Sequence, residues 1–133
     1  EPAAARHAAT RRTAEELAAI DALVSAVAAS RDGKTAVPLV VEFFAVIARA
    51  SHNPVLVTAQ DPLNRLLAPT LSRMIDKVAQ ARARITSAQK RIAGAIRDQH
   101  ADEAAAWMEK HIRDFKRGYE LAGIELEYRV PLT

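Results

Sequence analysis

The feature that most constrains this chain is an apolar stretch near its middle, residues 36–50, in which only two side chains are charged. Thr35 can cap the first turn of a helix here, and Asn53 followed by proline ends it, because a residue before proline avoids the helical region. A helix that is apolar on nearly every side is surrounded by other elements. We therefore predict that this helix runs through the middle of the domain, and it is too short to span a membrane.

The composition favours an all-helical single domain. The 133 residues are rich in alanine and contain four glycines and no cysteine. This length allows one domain with a sizeable core, and the lack of cysteine excludes a disulfide framework or a thiolate metal site. The start of the chain shows no basic segment followed by an apolar run, so we expect a cytoplasmic protein without a signal peptide.

The charge balance does not indicate a nucleic-acid site. Nineteen Lys and Arg stand against sixteen Asp and Glu, which gives a net charge of +3, and the arginines are spread along the chain. A nucleic-acid interface needs its cations gathered on one face, with a reading helix or stacking aromatic rings. We interpret these charges as solvated helix faces.

The first third of the chain predicts two helices. Residues 1–12 form a short one. Thr13 followed three residues later by Glu16 is a capping-box pattern that begins the second helix, and residues 32–34 end it. Its inward side chains, at helical spacing, are Leu17, Ile20, Val24 and Val27.

Residues 53–79 predict a further helical stretch with two interruptions. Pro62 and Pro69 each remove a backbone donor and clash with the preceding turn, so we expect a break or kink near each. The inward side chains of this stretch are Leu63, Leu67, Leu71, Met74 and Val78.

Two more helices each carry one polar residue in an apolar stripe. In the helix over residues 82–98 that residue is Gln89, and in the last helix it is His111. The two stripes are Ile85, Gln89, Ile92, Ile96 and then Ala104, Met108, His111, Phe115, Tyr119, Ala122. Residues 124–130 alternate apolar and polar side chains, which is the period of a strand.

Several motifs resemble the FCD domain, the effector-binding and dimerisation half of GntR-type transcriptional regulators of the FadR subfamily. Residues 43–56 are similar to its signature Phe-His-x-x-[Leu/Ile]-Ala-x-Ala-[Ser/Thr]-x-Asn-Pro-x-Leu, with phenylalanine in place of the histidine. Residues 1–17 resemble its opening, and residues 88–96 and 103–112 resemble its two closing patterns. The resemblance implies an all-α antiparallel bundle of about six helices that forms a homodimer and binds a small-molecule effector. It also implies that DNA is contacted only through a winged-helix domain preceding residue 1, with no membrane partner.

The resemblance also locates the family's metal site on this chain. Many FCD domains bind a divalent metal through one Asp and three His, and these positions correspond to Val40, Phe44, Gln89 and His111. Only His111 keeps a usual ligand, since valine and phenylalanine have no lone pair and an amide oxygen is a poor substitute for imidazole. We therefore predict a domain without metal or other cofactor.

Two readings of the former metal site remain open. Either Val40 and Phe44 fill the cavity and Gln89 and His111 satisfy each other or bind water, or a cavity persists and binds an organic effector through these residues. For a carboxylate effector without a metal, Arg6 and protonated His111 are the candidate counter-charges.

Other classes of function have less support. No Glu-x-x-His pair, glycine-rich phosphate loop or cysteine nucleophile occurs, so we do not predict an enzyme. A purely structural dimerisation module with a filled pocket is the alternative to an effector-binding domain. The state of the interior around Phe44 separates these two.

Overall fold

The structure is a computed structural model that describes residues 2–123, without the side chains of residues 61–67. This part of the chain forms six α-helices and no strand, which confirms the predicted all-α fold. The predicted strand at 124–130 lies outside the described residues. The helices are α1 Pro2–Arg11, α2 Ala14–Ala29, α3 Gly33–Ala50, α4 Pro54–Lys77, α5 Ala81–Arg97 and α6 Ala101–Ala122.

Helix α1 packs through alanines. Four of them are buried: Ala4, Ala5, Ala8 and Ala9. Because their side chains are single methyl groups, the backbone of α1 lies close to α6, α3 and α5. Just after its end, the Arg12 guanidinium donates to the carbonyl oxygens of Ile96, at 3.4 Å, and Arg97, at 2.8 Å. These two bonds connect the end of α1 to the end of α5.

The junction between α2 and α3 departs from the sequence prediction. The capping box at the start of α2 is confirmed, with reciprocal hydrogen bonds between Thr13 and Glu16. However, α2 ends at Ala29, before the predicted 32–34. Asp32 instead caps α3, where its carboxylate accepts from the backbone N–H of Thr35 at 2.7 Å. The prediction that Thr35 is the cap is therefore wrong, because the helix begins earlier and places Thr35 inside its first turn.

Helix α3 is central, as predicted. However, the prediction that other elements surround it on nearly every side is wrong, because one face is exposed. Its exposed stripe includes Pro38, Glu42 and Arg49, at spacings that place them on one face of the helix. Glu42 and Arg49 form an ion pair along this stripe. The opposite faces are buried against α1, α2 and α4. A stripe of one proline and one ion pair is thus enough to keep part of an otherwise apolar helix at the surface.

Helix α4 has no break at the two prolines, where a break or kink was predicted. It runs from Pro54 to Lys77 and includes both Pro62 and Pro69. Packing of its second half, where Leu71 and Met74 are buried as predicted, outweighs the local cost of a proline in a helix. Val78, just past the end, is half-buried. The predicted inward positions Leu63 and Leu67 lie outside the described side chains.

The core consists of two apolar clusters stacked along the bundle. The first apolar cluster includes the α1 alanines together with Phe43, Ile47, Ile92, Ile96 and Met108. The second apolar cluster includes Val27, Val40, Leu71, Met74, Ile85 and Tyr119. Phe44 packs against both clusters. On α5 and α6 the residues between the two clusters are Gln89 and His111, which we call the polar layer.

No helix among the described residues is long and apolar enough to cross a membrane.

Candidate functional site

The polar layer lies on the inward stripes of α5 and α6. Ile85, Gln89, Ile92 and Ile96 are all buried, which confirms the stripe predicted for α5. Gln89 is 0% exposed, yet neither Oε1 nor Nε2 of its amide has a hydrogen-bond partner among the described residues. Buried amides are normally hydrogen-bonded, because a buried polar group without a partner has lost its bonds to water and gained none to the protein.

His111 is the second member of the polar layer. It is 1% exposed, and its Nε2 atom has no hydrogen-bond partner in the described part of the chain. Burial disfavours the charged ring and lowers the pKa of His111 from 6.5 to about 3. The imidazole is therefore neutral at physiological pH. A neutral ring has one donor and one acceptor nitrogen, so it can offer either to a ligand.

Two aromatic rings hold the imidazole of His111 in place. The ring of Phe44 stacks on it with centroids 5.6 Å apart, and the ring of Phe115 lies tilted against it at 4.5 Å. The Phe44 and Phe115 centroids are 5.9 Å apart. Phe44 is the position where the family resemblance places a metal-binding histidine. Here a phenyl ring occupies that place and contacts the remaining histidine face to face.

The residues at this level do not fit the metal that the resemblance implies. Val40, one turn before Phe44, is 0% exposed and packs in the second apolar cluster. Valine and phenylalanine cannot coordinate a cation, which leaves one amide and one imidazole where three or four protein ligands are usual. Among the described residues, no group of three or more His, Cys, Asp or Glu is close enough to hold a metal ion.

An open groove of about 340 Å³ lies between α5 and α6 beside the polar layer. We call it the α5–α6 groove. Its side chains are mostly polar or charged: Arg84, Ser87, Arg91, Trp107, Lys110 and Asp114. His111 lines it as well, so the polar layer and the groove share this residue. The groove is therefore a place where a molecule from solvent can come next to the buried histidine.

A hollow of about 30 Å³ adjoins the α5–α6 groove. It shares Arg84, His111 and Asp114 with the groove, and the rest of its lining is mainly apolar, including Met74, Ile85 and Phe115. A space of this size holds a water molecule or a methyl group. The hollow therefore extends the groove toward the second apolar cluster.

The structure brings together some of the predicted site residues. Phe44 contacts His111, Val40 packs in the second apolar cluster, and Gln89 is buried on α5 between residues of the two clusters. Arg6 is placed elsewhere, since its half-exposed guanidinium pairs with Asp102 at the start of α6. Its role as a counter-charge stays a prediction.

Sequence reasoning missed the cations of the groove. Their signal was present, because residues 81–97 contain Arg84 and Arg91, seven positions apart on one helix face, and no Asp or Glu. What sequence could not show is that Lys110 and Trp107 of α6 lie opposite them.

The described residues thus form an all-helical domain with buried polar atoms of Gln89 and His111 that have no hydrogen-bond partner among them. The family model of the FCD domain matches residues 1–114. The chain belongs to the FCD domain family, the effector-binding regulatory domain of GntR-family transcription factors. Its assignment to the FadR subfamily stays a prediction. Neither a curated protein nor a solved structure shows significant similarity to the chain.

Proposed function

We propose that this domain senses a small organic effector for a GntR-type transcriptional regulator, and that it does so without the family's metal. The effector contacts Gln89 and His111, with Val40 and Phe44 as the apolar wall of its site. The observation that carries this proposal is that three buried polar atoms of Gln89 and His111 have no hydrogen-bond partner among the described residues.

These atoms destabilise the domain unless something binds them. A buried polar group without a partner costs about 1–3 kcal/mol. A leucine or methionine at either position would remove that cost in a purely structural bundle. The amide and the neutral imidazole together present both donors and acceptors, so they suit an effector with a carboxyl, hydroxyl or amide group.

Regulation follows from differential binding. We propose that the domain forms a homodimer and that DNA is contacted by a separate winged-helix domain of the regulator. An effector shifts the balance between DNA-competent and incompetent dimers only as far as its affinities for the two differ.

One observation favours the alternative of a structural dimerisation module. Phe44 stacks on His111 and also contacts Phe115, so aromatic rings fill much of the space beside the polar layer. In that case the two polar side chains would bind only water, and the domain would contribute stability to a dimer without sensing.

Native mass spectrometry of the domain, purified without chelator or added metal, separates these possibilities. We expect a dimer carrying an organic adduct and no metal. The adduct should be lost from Gln89→Met, which keeps the length of the side chain and removes its amide. The matched control Gln80→Met changes an exposed glutamine at the start of α5 and should keep the adduct.

Each other outcome of that measurement contradicts part of the proposal. A dimer with stoichiometric metal would overturn metal-free binding. A dimer without any adduct, whose stability does not change with small organic acids, would favour the structural module. A monomer at micromolar concentration would contradict the proposed homodimer.

A further inference from the structure

We infer that the α5–α6 groove binds the phosphate group of a small phosphate monoester, with Arg84 and Arg91 as its main contacts. The inference rests on the proposed function, because it names the chemical class of the effector and the place that holds its charged group. It is carried by the charge, the hydrogen-bond donors and the size of the groove.

The groove has a net positive charge that a dianion would neutralise. It contains the cations Arg84, Arg91 and Lys110 and one carboxylate, Asp114, whose Oδ2 lies 3.9 Å from the Lys110 Nζ. Neither arginine has an ion-pair partner among the described carboxylates. A phosphate monoester carries a charge of about −1.5 to −2 at pH 7, which matches the remaining positive charge. A single carboxylate would leave one arginine without an anion.

The donors of the groove suit phosphate oxygens. Arg84 and Arg91 lie two helical turns apart on one face of α5, about 10 Å along its axis. Their long side chains can therefore reach a common anion between them. Each guanidinium presents a planar fork of N–H groups that fits two oxygens of a phosphate. Three acceptor oxygens can thus engage both arginines at once.

Part of this site is already ordered. The Arg91 guanidinium lies over the Trp107 ring, 4.5 Å from its centroid, and the Lys110 Nζ is 5.6 Å from the same ring. These cation–π contacts restrict both cations beside the groove, which reduces the entropy that ligand binding would cost.

A second, independent observation points to a ligand at the same place. His111, which lines the groove, is 1% exposed and has a buried Nε2 without a partner in the described residues. A buried polar atom of this kind beside a solvent-open groove is suited to the uncharged part of the ligand. The cations bind the phosphate, and His111 hydrogen-bonds the body of the molecule.

The dimensions set an upper limit on that body. The groove holds about 340 Å³ and its adjoining hollow about 30 Å³. Small-molecule sites run from about 300 to 1,000 Å³, so this one lies at the lower end. A phosphorylated compound of metabolite size fits, with room in the hollow for a methyl group.

Intrinsic fluorescence gives a direct test, because Trp107 is the single tryptophan of the chain and lines the groove. The domain would be titrated with glycerol phosphate, inorganic phosphate, succinate and acetate in separate experiments. We expect a saturable change with glycerol phosphate, weaker binding of inorganic phosphate and succinate, and none of acetate.

Variants on α5 make the test specific. Arg84→Gln should weaken glycerol phosphate binding by about tenfold or more, since it removes a charged hydrogen-bond donor without touching the tryptophan. Arg91→Gln should do the same, measured by calorimetry because Arg91 contacts the reporter ring. The matched control is Lys90→Gln, which removes an equal charge next to Arg91 on the same helix but outside this groove. It should bind within about twofold of the wild type.

The outcomes that overturn the inference are distinct from failure of the proposed function. Equal weakening by Lys90→Gln and Arg84→Gln would mean general attraction of anions, and tighter binding of succinate than of glycerol phosphate would make the ligand a dicarboxylate. If none of the probes binds but the domain still carries an organic adduct that Gln89→Met loses, the groove assignment is wrong and effector sensing stands. If there is neither probe binding nor adduct, both are wrong.

Discussion

The contact between α3 and α4 and the seam between α5 and α6 are built in opposite ways. At the first, a Cβ on Gly33 would lie 2.4 Å from the backbone oxygen of Ser72, so only glycine fits. On α5, three residues after Arg91, a Cβ on Gly94 would meet nothing within 4 Å. Two helices touch backbone to backbone in one place and leave a groove in the other.

Polar groups follow the same division. At the α3–α4 contact the backbone N–H of Gly33 donates to the Asp76 carboxylate at 2.8 Å. Along α5 and α6 the buried amide of Gln89 and the Nε2 of His111 have no partner in the described residues. The first contact stabilises the domain. In the second region, buried donors and acceptors without partners lower the free energy of unfolding. In our proposal, the first region holds the bundle together and the second binds a ligand.

The largest expected effect is at the closed contact. Gly33→Ala should lower the free energy of unfolding by about 3 kcal/mol, because the methyl group meets a backbone oxygen that cannot move aside. Gly118→Ala is the matched control, since its Cβ would meet only the flexible end of Met74, at 2.9 Å from the sulfur. Urea unfolding at fixed protein concentration measures both. If Gly33→Ala lowers the free energy of unfolding by no more than Gly118→Ala does, the α3–α4 contact is not as closely packed as described.

The second effect is a pH dependence of stability from His111. Its pKa is about 3 in the folded state against an ordinary value of 6.5. Below about pH 6.5 the unfolded chain takes up a proton at this residue and the folded chain does not. The free energy of unfolding therefore decreases as the pH is lowered from about 6.5 to about 3. Between pH 7.5 and pH 5 the loss is about 2 kcal/mol.

The variant His111→Gln isolates that contribution from the other histidines. The unfolding free energy of the wild type minus that of the variant should fall by about 2 kcal/mol as the pH is lowered from 7.5 to 5. A difference that stays constant over this range would show that His111 is not held neutral in the folded domain.

The third effect tests the unmet hydrogen bonds directly. Gln89→Met should raise the free energy of unfolding of the ligand-free domain by about 1.5 kcal/mol, since it replaces an unpartnered amide with an apolar group of similar shape. Thermal and urea unfolding after removal of any bound ligand measure it. A destabilised variant would mean that the amide is paired in solution.

The smallest effect is expected in the open seam. Gly94→Ala should stabilise the domain by about 0.5–1 kcal/mol, because alanine favours the helix and no atom lies near the new methyl group. The same substitution, glycine to alanine, is therefore expected to raise the free energy of unfolding at Gly94 and to lower it at Gly33. A destabilising Gly94→Ala would mean that the surroundings of Gly94 are more closely packed in solution.

The local features of the fold could be predicted from the sequence, and the tertiary ones could not. Capping at Thr13 and the apolar stripe around Gln89 depend on neighbours within one or two turns, so residue order determines them. Both Asp32 and Thr35 are suitable cap residues by type, and local sequence alone does not choose between them; in the structure Asp32 is the cap. The continuity of α4 through Pro69 likewise depends on the burial of its second half.

The same distinction applies to the candidate site. The positions of Gln89 and His111 on inward stripes follow from helical periodicity, and the substitutions at Val40 and Phe44 from the resemblance to the FCD signature. The groove requires α5 and α6 to be placed side by side. No spacing along the chain brings Arg84 opposite Lys110, which is why these cations were missed.

The alanine contacts of α1 have a mechanical consequence. Alanine has no side-chain torsion to change, so an interface made of its methyl groups cannot absorb a shift by repacking. Helix α6, which carries Trp107, Lys110 and His111, packs against α1 through this interface. If a ligand in the groove displaced α6, α1 would therefore move together with it as a rigid body.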